Sequence, residues 1–374
     1  MEGSEKVDDS LAGRSVLITG GTGSLGTALV ERMLSGRHGL PAMVSVLSRD
    51  EFKQFELRSL LARRYTNSPC RLQFRLGDVR DFSAVQLAMR SADVVFHAAA
   101  LKQVPQCEHS PIEAVQTNVM GLVNLVRAAS LRPSPIEAVI AASTDKACHP
   151  INVLGMTKAL QERILIAAGV DAPHTRFMCA RYGNVLASRG SVVETFRTQI
   201  REGGPVTLTS RDMTRFVMTL DDAIDALIAL YRFGRDGEIF VPRVPGMRIA
   251  TLAECLIGSR AIAIVETGLR PGEKIHEVLI NEDELALTTD RQGYYVLAPM
   301  SRQPAHGAPV TLRDPFRSNH QLLDHAAIEA LLRHHRLLAP LADLKTSADL
   351  KTSAGPARDR PRVRHAASPQ PWGR

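Results

Sequence analysis

Short apolar runs alternate with amphipathic stretches from Ser15 onward. Ser15–Thr19 (SVLIT) leads into a glycine turn and then a helix with one apolar face. Val44–Leu47 (VSVL), Leu72–Leu76, Asp93–His97 (DVVFH) and Val139–Ala142 supply further runs of strand length, with helical patterns between them. Continuous apolar strands separated by helices are what a parallel sheet covered on both faces requires. The pattern therefore predicts an α/β fold, a Rossmann-like doubly wound parallel sheet with a smaller C-terminal substrate-binding lobe. After about Ala187 the rhythm breaks into shorter pieces rich in Gly, Pro and Arg, as expected of such a lobe interleaved with late returns to the main sheet. Asp221–Tyr231 (DDAIDALIALY) reads as an amphipathic helix with Asp221 as its N-cap, and His325–His335 as the last helix.

Beyond Leu338 the hexamer Asp343–Ala348 (DLKTSA) repeats at once as Asp349–Ala354, followed by Gly, Pro and Arg. Two copies cannot stack into a solenoid, and this composition cannot bury a core. The expected organisation is a mobile leader (1–13), a dinucleotide-binding domain (14–187), the lobe (188–339) and a disordered basic tail (340–374).

The chain has 374 residues, enough for a full core, with ordinary apolar (44%) and charged (23%) fractions. Its net charge of +7 is uneven: five arginines and one aspartate between Gly355 and Arg374 carry +4, leaving +3 for the rest. That is a weak electrostatic footprint and argues against a nucleic-acid partner. Five scattered cysteines (Cys70, Cys107, Cys148, Cys179, Cys255) form no C-x-x-C pair, which suits reduced thiols in a cytoplasmic protein and no zinc or other metal site. The polar N-terminus is unlike a signal peptide, and no apolar run approaches a membrane span. A cytoplasmic protein without a membrane partner is expected.

Thr19-Gly20-Gly21-Thr22-Gly23-Ser24-Leu25-Gly26 places Gly20, Gly23 and Gly26 at the spacing of a dinucleotide turn. Gly20 suits the tight turn, Gly23 the approach of a pyrophosphate, and Gly26 close packing of helix on strand; Thr22, Ser24 and Leu25 would lie against the phosphates. At the end of the second strand stand Ser48, Arg49 and Lys53, all suited to a 2′-phosphate. Asp50 reads there as a helix N-cap, so NADP is the expected cofactor. Asp78 and Val79 would frame the adenine, and the backbone of Ala98-Ala99-Ala100 would run past the pyrophosphate.

Several motifs then converge. Phe96-His97-Ala98-Ala99-Ala100-Leu101-Lys102-Gln103-Val104-Pro105, Ser143-Thr144-Asp145-Lys146, Arg181-Tyr182-Gly183-Asn184-Val185, Ser188-Arg189-Gly190-Ser191, Met213-Thr214-Arg215-Phe216 and Arg270-Pro271-Gly272-Glu273-Lys274 together resemble the inverting UDP-N-acetylglucosamine 4,6-dehydratases of bacterial surface-glycan synthesis, which are extended short-chain dehydrogenases/reductases. The likeness runs from about residue 14 to about 335. Tyr294–Leu332 looks most like the capsular subgroup, whose members also epimerise C5. Where the wider class carries Tyr-x-x-x-Lys, this chain has Leu154 followed by Lys158. The capsular subgroup has methionine at that point, so leucine is a further departure.

The resemblance implies NADP-dependent oxidation at C4 of a UDP-sugar, C5 proton abstraction, loss of the C6 hydroxyl and hydride return to C6. Lys146 is then the expected base at C5 and Asp145 the acid at C6, with Lys146 kept neutral by burial and by nearby Lys158. Lys158 would hold the nicotinamide ribose. Thr144, with Ser143, would donate to the C4 oxygen. Lys102 would line the sugar pocket, and His97 would be structural. Asn184 and Arg189 would meet the diphosphate, Arg215 and Arg270 would clamp it, and Glu273 would accept from the uridine ribose. Assembly into homo-oligomers, often hexamers, is a further implication. Which group takes the C4 hydroxyl proton without a tyrosine stays open between Asp145, Lys146 and water. The competing readings are a nucleotide-sugar 4-epimerase, an enzyme stopping at the 5,6-alkene, and an inactive NADP or UDP-sugar sensor.

Overall fold

The computed structural model describes residues 8–186, 188, 190–299 and 311–338. Six consecutive strands begin the parallel part of the main sheet: β1 (Ser15–Thr19), β2 (Met43–Ser48), β3 (Arg71–Leu76), β4 (Val94–His97), β5 (Ala138–Thr144) and β6 (Arg176–Tyr182). Their spatial order is β3-β2-β1-β4-β5-β6, so the strand order reverses between β1 and β4. In a doubly wound sheet the ligand crevice opens at such a reversal, beyond the carboxyl ends of the strands. Ile239–Pro242 adds a parallel strand beside β6, and Tyr294–Leu297 and Thr288–Arg291 close that edge as antiparallel strands.

The apolar runs become strands because both faces are covered. Leu17, Ile18, Val95, Phe96, Val139, Ile140 and Phe177 are all but fully buried in one core. Helices α1 (Ser24–Leu34), α2 (Glu51–Arg64) and α3 (Phe82–Met89) follow β1, β2 and β3 in turn. Asp50 caps α2, its carboxylate accepting from the Lys53 amide at 2.9 Å, as its place before Glu51 implies. Beyond β6, Asn184–Val185, Thr214–Met218 and Gly246–Arg248 form a small three-stranded sheet. Phe216, Leu279 and Phe316 from this later part belong to the same core as the main sheet.

Three expectations change. The helix foreseen at Asp221–Tyr231 runs Leu220–Phe233, and its cap is Thr219 rather than Asp221. Thr219 Oγ1 accepts from the Asp222 amide at 3.0 Å, and the Asp222 carboxylate accepts from the Thr219 amide at 2.8 Å. That reciprocal box satisfies two amides at once. Asp221 is thereby left in the first turn, where it pairs with Arg32. Residues 8–13 of the expected leader pack on the body instead: Leu11 is wholly buried, and its amide donates to the carbonyl of His38 at 2.9 Å. The rest of the leader (1–7) and the whole tail (340–374) lie outside the described residues. Among the described residues, no helix is long and apolar enough to cross a membrane.

Candidate active site

The carboxyl ends of β1, β2 and β4 form the first half of the site. Gly20 sits at φ +67°, and a Cβ there would come within 2.6 Å of the Ala99 backbone nitrogen. Only glycine allows the first turn to lie this close to the chain leaving β4. A Cβ on Gly26 would lie 2.3 Å from the Gly20 carbonyl, so that glycine lets α1 start directly against the turn. Gly23 precedes α1 without a side-chain cap, which leaves the positive end of the helix, from Ser24 through Leu25, for an anion. Ala98, Ala99 and Ala100 continue from β4 half-buried along the same turn. These features fit a dinucleotide pyrophosphate.

At the tip of β2, Ser48 Oγ lies 2.8 Å from Thr22 Oγ1 and ties the second strand to the glycine turn. Lys53 Nζ pairs with Asp50 at 2.7 Å, and Asp50 is already committed as the α2 cap. Arg49 reaches outward, 3.7 Å from Asp78. Asp78 also pairs with Arg80 at 2.7 Å, which together with Arg49 outweighs its desolvation and keeps its pKa below the usual value. Val79 is buried, its carbonyl accepting from Asn124 at 2.9 Å. At the strand reversal, Thr19 Oγ1 and His97 Nδ1 are 2.7 Å apart. Burial, helped by Lys158, lowers the His97 pKa to about 3, which favours the neutral ring; its Nε2 is buried without a hydrogen-bond partner among the described residues.

β5 ends at Thr144, and the chain turns through one short 3₁₀ segment, Asp145–Ala147. The helix Val153–Ala167 packs hard against this turn, because a Cβ on Gly155 would lie 2.3 Å from the Lys146 carbonyl. Thr144 Oγ1 and Lys146 Nζ both donate to Asp145 Oδ1, at 2.9 and 3.0 Å. Asp145 is wholly buried, yet its Oδ2 has no hydrogen-bond partner among the described residues. A buried carboxylate oxygen left unpaired is costly and marks a place where a ligand or a proton completes the site. Burial raises the Asp145 pKa, with Glu277 adding to the shift and Lys146 only partly opposing it.

Glu277 is the residue the sequence did not single out. It is buried, with Oε1 3.4 Å from Lys146 Nζ and 3.8 Å from Arg215 Nε, and Oε2 3.7 Å from Lys274 Nζ. Desolvation raises its pKa, but Lys146, Arg215 and Lys274 outweigh that and hold it below the ordinary value. The expectation of a depressed Lys146 is reversed for the same reason. Burial pushes its pKa down, but Asp145 and Glu277 overcome that and raise it above 10.5. Lys158 is the lysine that burial does depress, to about 8; its Nζ donates to the Ala142 carbonyl at 2.9 Å. The only available signal for Glu277 was its place three residues after Lys274.

Ser143 also departs from its expected role. Its hydroxyl donates to Glu162, which Arg181 grips through two nitrogens at 3.0 and 2.7 Å. Arg181 reaches Glu284 as well, at 2.8 Å through both terminal nitrogens. Thr144, not Ser143, is the hydroxyl that bonds to Asp145. Leu154 is buried beside Cys107 and Ala114, with Leu101, Val104 and Val153 around them. Asn118, on a π-helical turn (Val115–Met120), accepts from the Leu101 amide at 2.8 Å and donates to Thr157 at 3.0 Å. It fixes the loop after β4 to the helix that carries Leu154 and Lys158.

Of the expected substrate residues, Arg215 is brought against the catalytic cluster. Its guanidinium donates to the carbonyls of Thr214 and Ile275 at 2.7 and 3.1 Å. The loop bearing Arg270 and Glu273 is tied to the catalytic segment: Asn152 donates to the Gly272 carbonyl at 2.8 Å, and Lys274 to the Cys148 carbonyl at 2.7 Å. Glu273 Oε2 is buried without a partner among the described residues, whereas Arg270, Asn184 and Lys102 are exposed. Arg189 lies outside the described residues.

Sheet order, glycine turn and catalytic turn define an extended short-chain dehydrogenase/reductase scaffold. The chain belongs to the polysaccharide biosynthesis protein family, which matches residues 16–299. It is 40% identical to an inverting UDP-N-acetylglucosamine 4,6-dehydratase of Campylobacter jejuni over 77% of this chain and 83% of that one. It is 44% identical to a Rickettsia prowazekii protein named UDP-glucose 4-epimerase, over 75% and 82% of the two chains. Among solved structures, Pen from Bacillus thuringiensis matches with a TM-score of 0.79 and 32% identity, covering 88% of this chain and 99% of that one. The resemblance to the inverting dehydratases is thereby borne out.

Proposed function

We propose that the protein is an NADP-dependent UDP-sugar 4,6-dehydratase, a hydro-lyase acting on UDP-N-acetylglucosamine or a close relative. The observation that carries this reading is the Thr144-Asp145-Lys146 turn, with a buried carboxylate oxygen left unpaired beside a buried amine. The name of the Campylobacter relative supports the same reading.

The glycine cradle would hold the pyrophosphate of a nicotinamide dinucleotide, which when bound would supply the hydride acceptor for C4 of the sugar and the hydride donor for C6. Arg49 and Ser48 would meet its 2′-phosphate; the nearby acid Asp50 is occupied as a helix cap, which removes one competing ligand for a ribose 2′-hydroxyl. Lys158 would hold the nicotinamide ribose. Asp145 Oδ2 takes the C4 hydroxyl proton, since burial has made that carboxylate a ready acceptor. Protonating Asp145 removes one of the two anions that keep Lys146 charged; burial then favours the amine, whose proton leaves to solvent through its exposed face and is regained from solvent after turnover. Lys146 takes the C5 proton, made acidic by the neighbouring ketone, while Asp145 passes its proton to the departing C6 hydroxyl. Lys146 gives its proton back to C5; return on the opposite face would epimerise that carbon. Asn184, Arg189, Arg270 and Glu273 would hold the UDP, with Lys102 and Arg215 nearer the sugar.

Incubation with UDP-N-acetylglucosamine and NADP in D₂O, followed by NMR and mass spectrometry, tests this. The expected product has lost water and carries deuterium at C5. The Rickettsia relative's name favours a second reading, a 4-epimerase. The Asp145–Lys146 pair opposes it, because a 4-epimerase needs neither an acid at C6 nor a base at C5. A C4 epimer formed without water loss would establish the second reading and end the first.

A further inference from the structure

We infer that Glu277 is a positioning residue for Lys146: it holds the amine opposite Asp145 and governs when that amine can take a proton. The inference rests on the dehydratase reading and deepens it. Lys146 Nζ lies between Asp145 Oδ1 at 3.0 Å and Glu277 Oε1 at 3.4 Å, one carboxylate from its own turn and the other from the distant segment leading into the strand Val278–Ile280. Without Glu277 the amine would have a single anchor, one residue away, and could swing about it.

The two carboxylates are made unequal by their surroundings. Asp145 sits in a wholly buried pocket with Lys146 as its only cation within salt-bridge distance among the described residues. Glu277 faces Lys146, Arg215 and Lys274, three cations from three different segments. Asp145 is therefore the group that takes and gives a proton, and Glu277 is the one that stays ionised. Pairs of carboxyls whose environments push them apart divide acid and base work in this way. The groups acting on Lys146 are Asp145 and Glu277, which favour the ammonium form, and Arg215, which opposes it. Glu277 thus tethers Lys146 in place and sets how alkaline the medium must be before its proton leaves to solvent. The Lys146 side chain keeps a 20% exposed surface through which that proton can go.

The test is the pH dependence of C5 deuterium exchange in D₂O, measured for wild type, Glu277→Gln and Glu277→Asp with UDP-N-acetylglucosamine. In Glu277→Gln the rising alkaline limb should move to lower pH by about one unit or more, the shift expected on losing an opposite charge at this distance. The apparent KM for the sugar should change by less than about threefold, because no bond to the nucleotide is lost. Glu277→Asp, which keeps the charge, should return the limb towards the wild-type position. A Glu277→Gln limb at the wild-type pH overturns the inference, since a merely structural glutamate would lower the rate without moving the profile. Should Glu277→Gln fail to fold, protein labelled with ¹³C at lysine Cε gives the same answer without turnover. The Lys146 resonance, assigned by its loss in Lys146→Arg, should titrate above 10.5 in wild type and lower in Glu277→Asp. Titration of wild-type Lys146 below 10.5 overturns the inference. If wild type turns over no UDP-sugar, the dehydratase reading fails, while the lysine titration still reports whether Glu277 acts on Lys146.

Discussion

Two buried clusters, each a cation between two carboxylates, lie on either side of the end of β5 and behave in opposite ways. In the first, Arg181 spans Glu162 and Glu284 with four hydrogen bonds between 2.7 and 3.0 Å and a fifth to the Leu279 carbonyl at 2.9 Å. Neither carboxylate has a buried oxygen without a partner. In the second, Lys146 spans Asp145 and Glu277 at 3.0 and 3.4 Å, and one oxygen of each carboxylate is buried without a hydrogen-bond partner among the described residues. The second cluster is slightly more open and has Arg215 and Lys274 beside Glu277 as well, but the decisive difference is hydrogen-bond satisfaction. A planar guanidinium fork saturates its partners and locks them, whereas a single ammonium leaves oxygens over for chemistry. The saturated cluster holds Ser143, β6 and the turn at Glu284 in register. The unsaturated one is the cluster to which the proposed function assigns the proton transfers.

The largest test of that contrast is Lys146→Ala, which should lower dehydratase turnover by about 10²–10⁴-fold and abolish C5 exchange. Normal deuterium exchange in this variant would remove Lys146 as the base. Next comes Arg181→Met, which strands two buried carboxylates and should cost about 3–5 kcal/mol in urea unfolding. A loss below about 1 kcal/mol, the range of an exposed ion pair, would show that the first cluster is not what holds this end of the sheet.

Acid should also separate the clusters. Burial raises the Glu284 pKa, but Arg181 more than reverses that and leaves it below 4.5. Its contribution is therefore complete above pH 4.5 and disappears as the pH falls through the folded value. Asp145 has the opposite sign: its pKa lies above 3.8, so its ionised form disfavours folding near neutrality and that penalty lifts on acidification. Glu284→Gln should accordingly flatten the fall in stability as the pH drops below 4.5, whereas Asp145→Asn should leave it as steep or steeper. Thermal melts across that range decide it. The smallest effect is expected at Leu154→Met, a nearly volume-conserving change in a packed pocket, which should shift stability by less than about 1.5 kcal/mol and leave turnover close to wild type. A large loss of turnover there would give position 154 a role that its packing does not suggest.

Much of this was legible in the residues themselves. The glycine turn, the alternation of strands and helices, the Asp50 cap and the adjacency of Asp145 to Lys146 all depend on neighbours along the chain, and each appears where the pattern put it. The Thr219 cap was missed by two residues because Asp221 is equally good cap chemistry, and only the local backbone decides between them. Leu11 was read as leader because a lone leucine among polar residues shows nothing until a surface is found to cover it.

What the sequence by itself determined is the scaffold and which side chains stand at its turns, because strand burial, turns and caps are set by interactions within a few residues. What only the tertiary structure decided is their condition: that Ser143 is taken by Glu162, that Arg215 faces inward, and that Lys146 is held charged rather than neutral. Those properties depend on which carboxylates come within about 4 Å in a medium of low dielectric. Glu277, far along the chain from Lys146, reaches that distance only when the chain has folded.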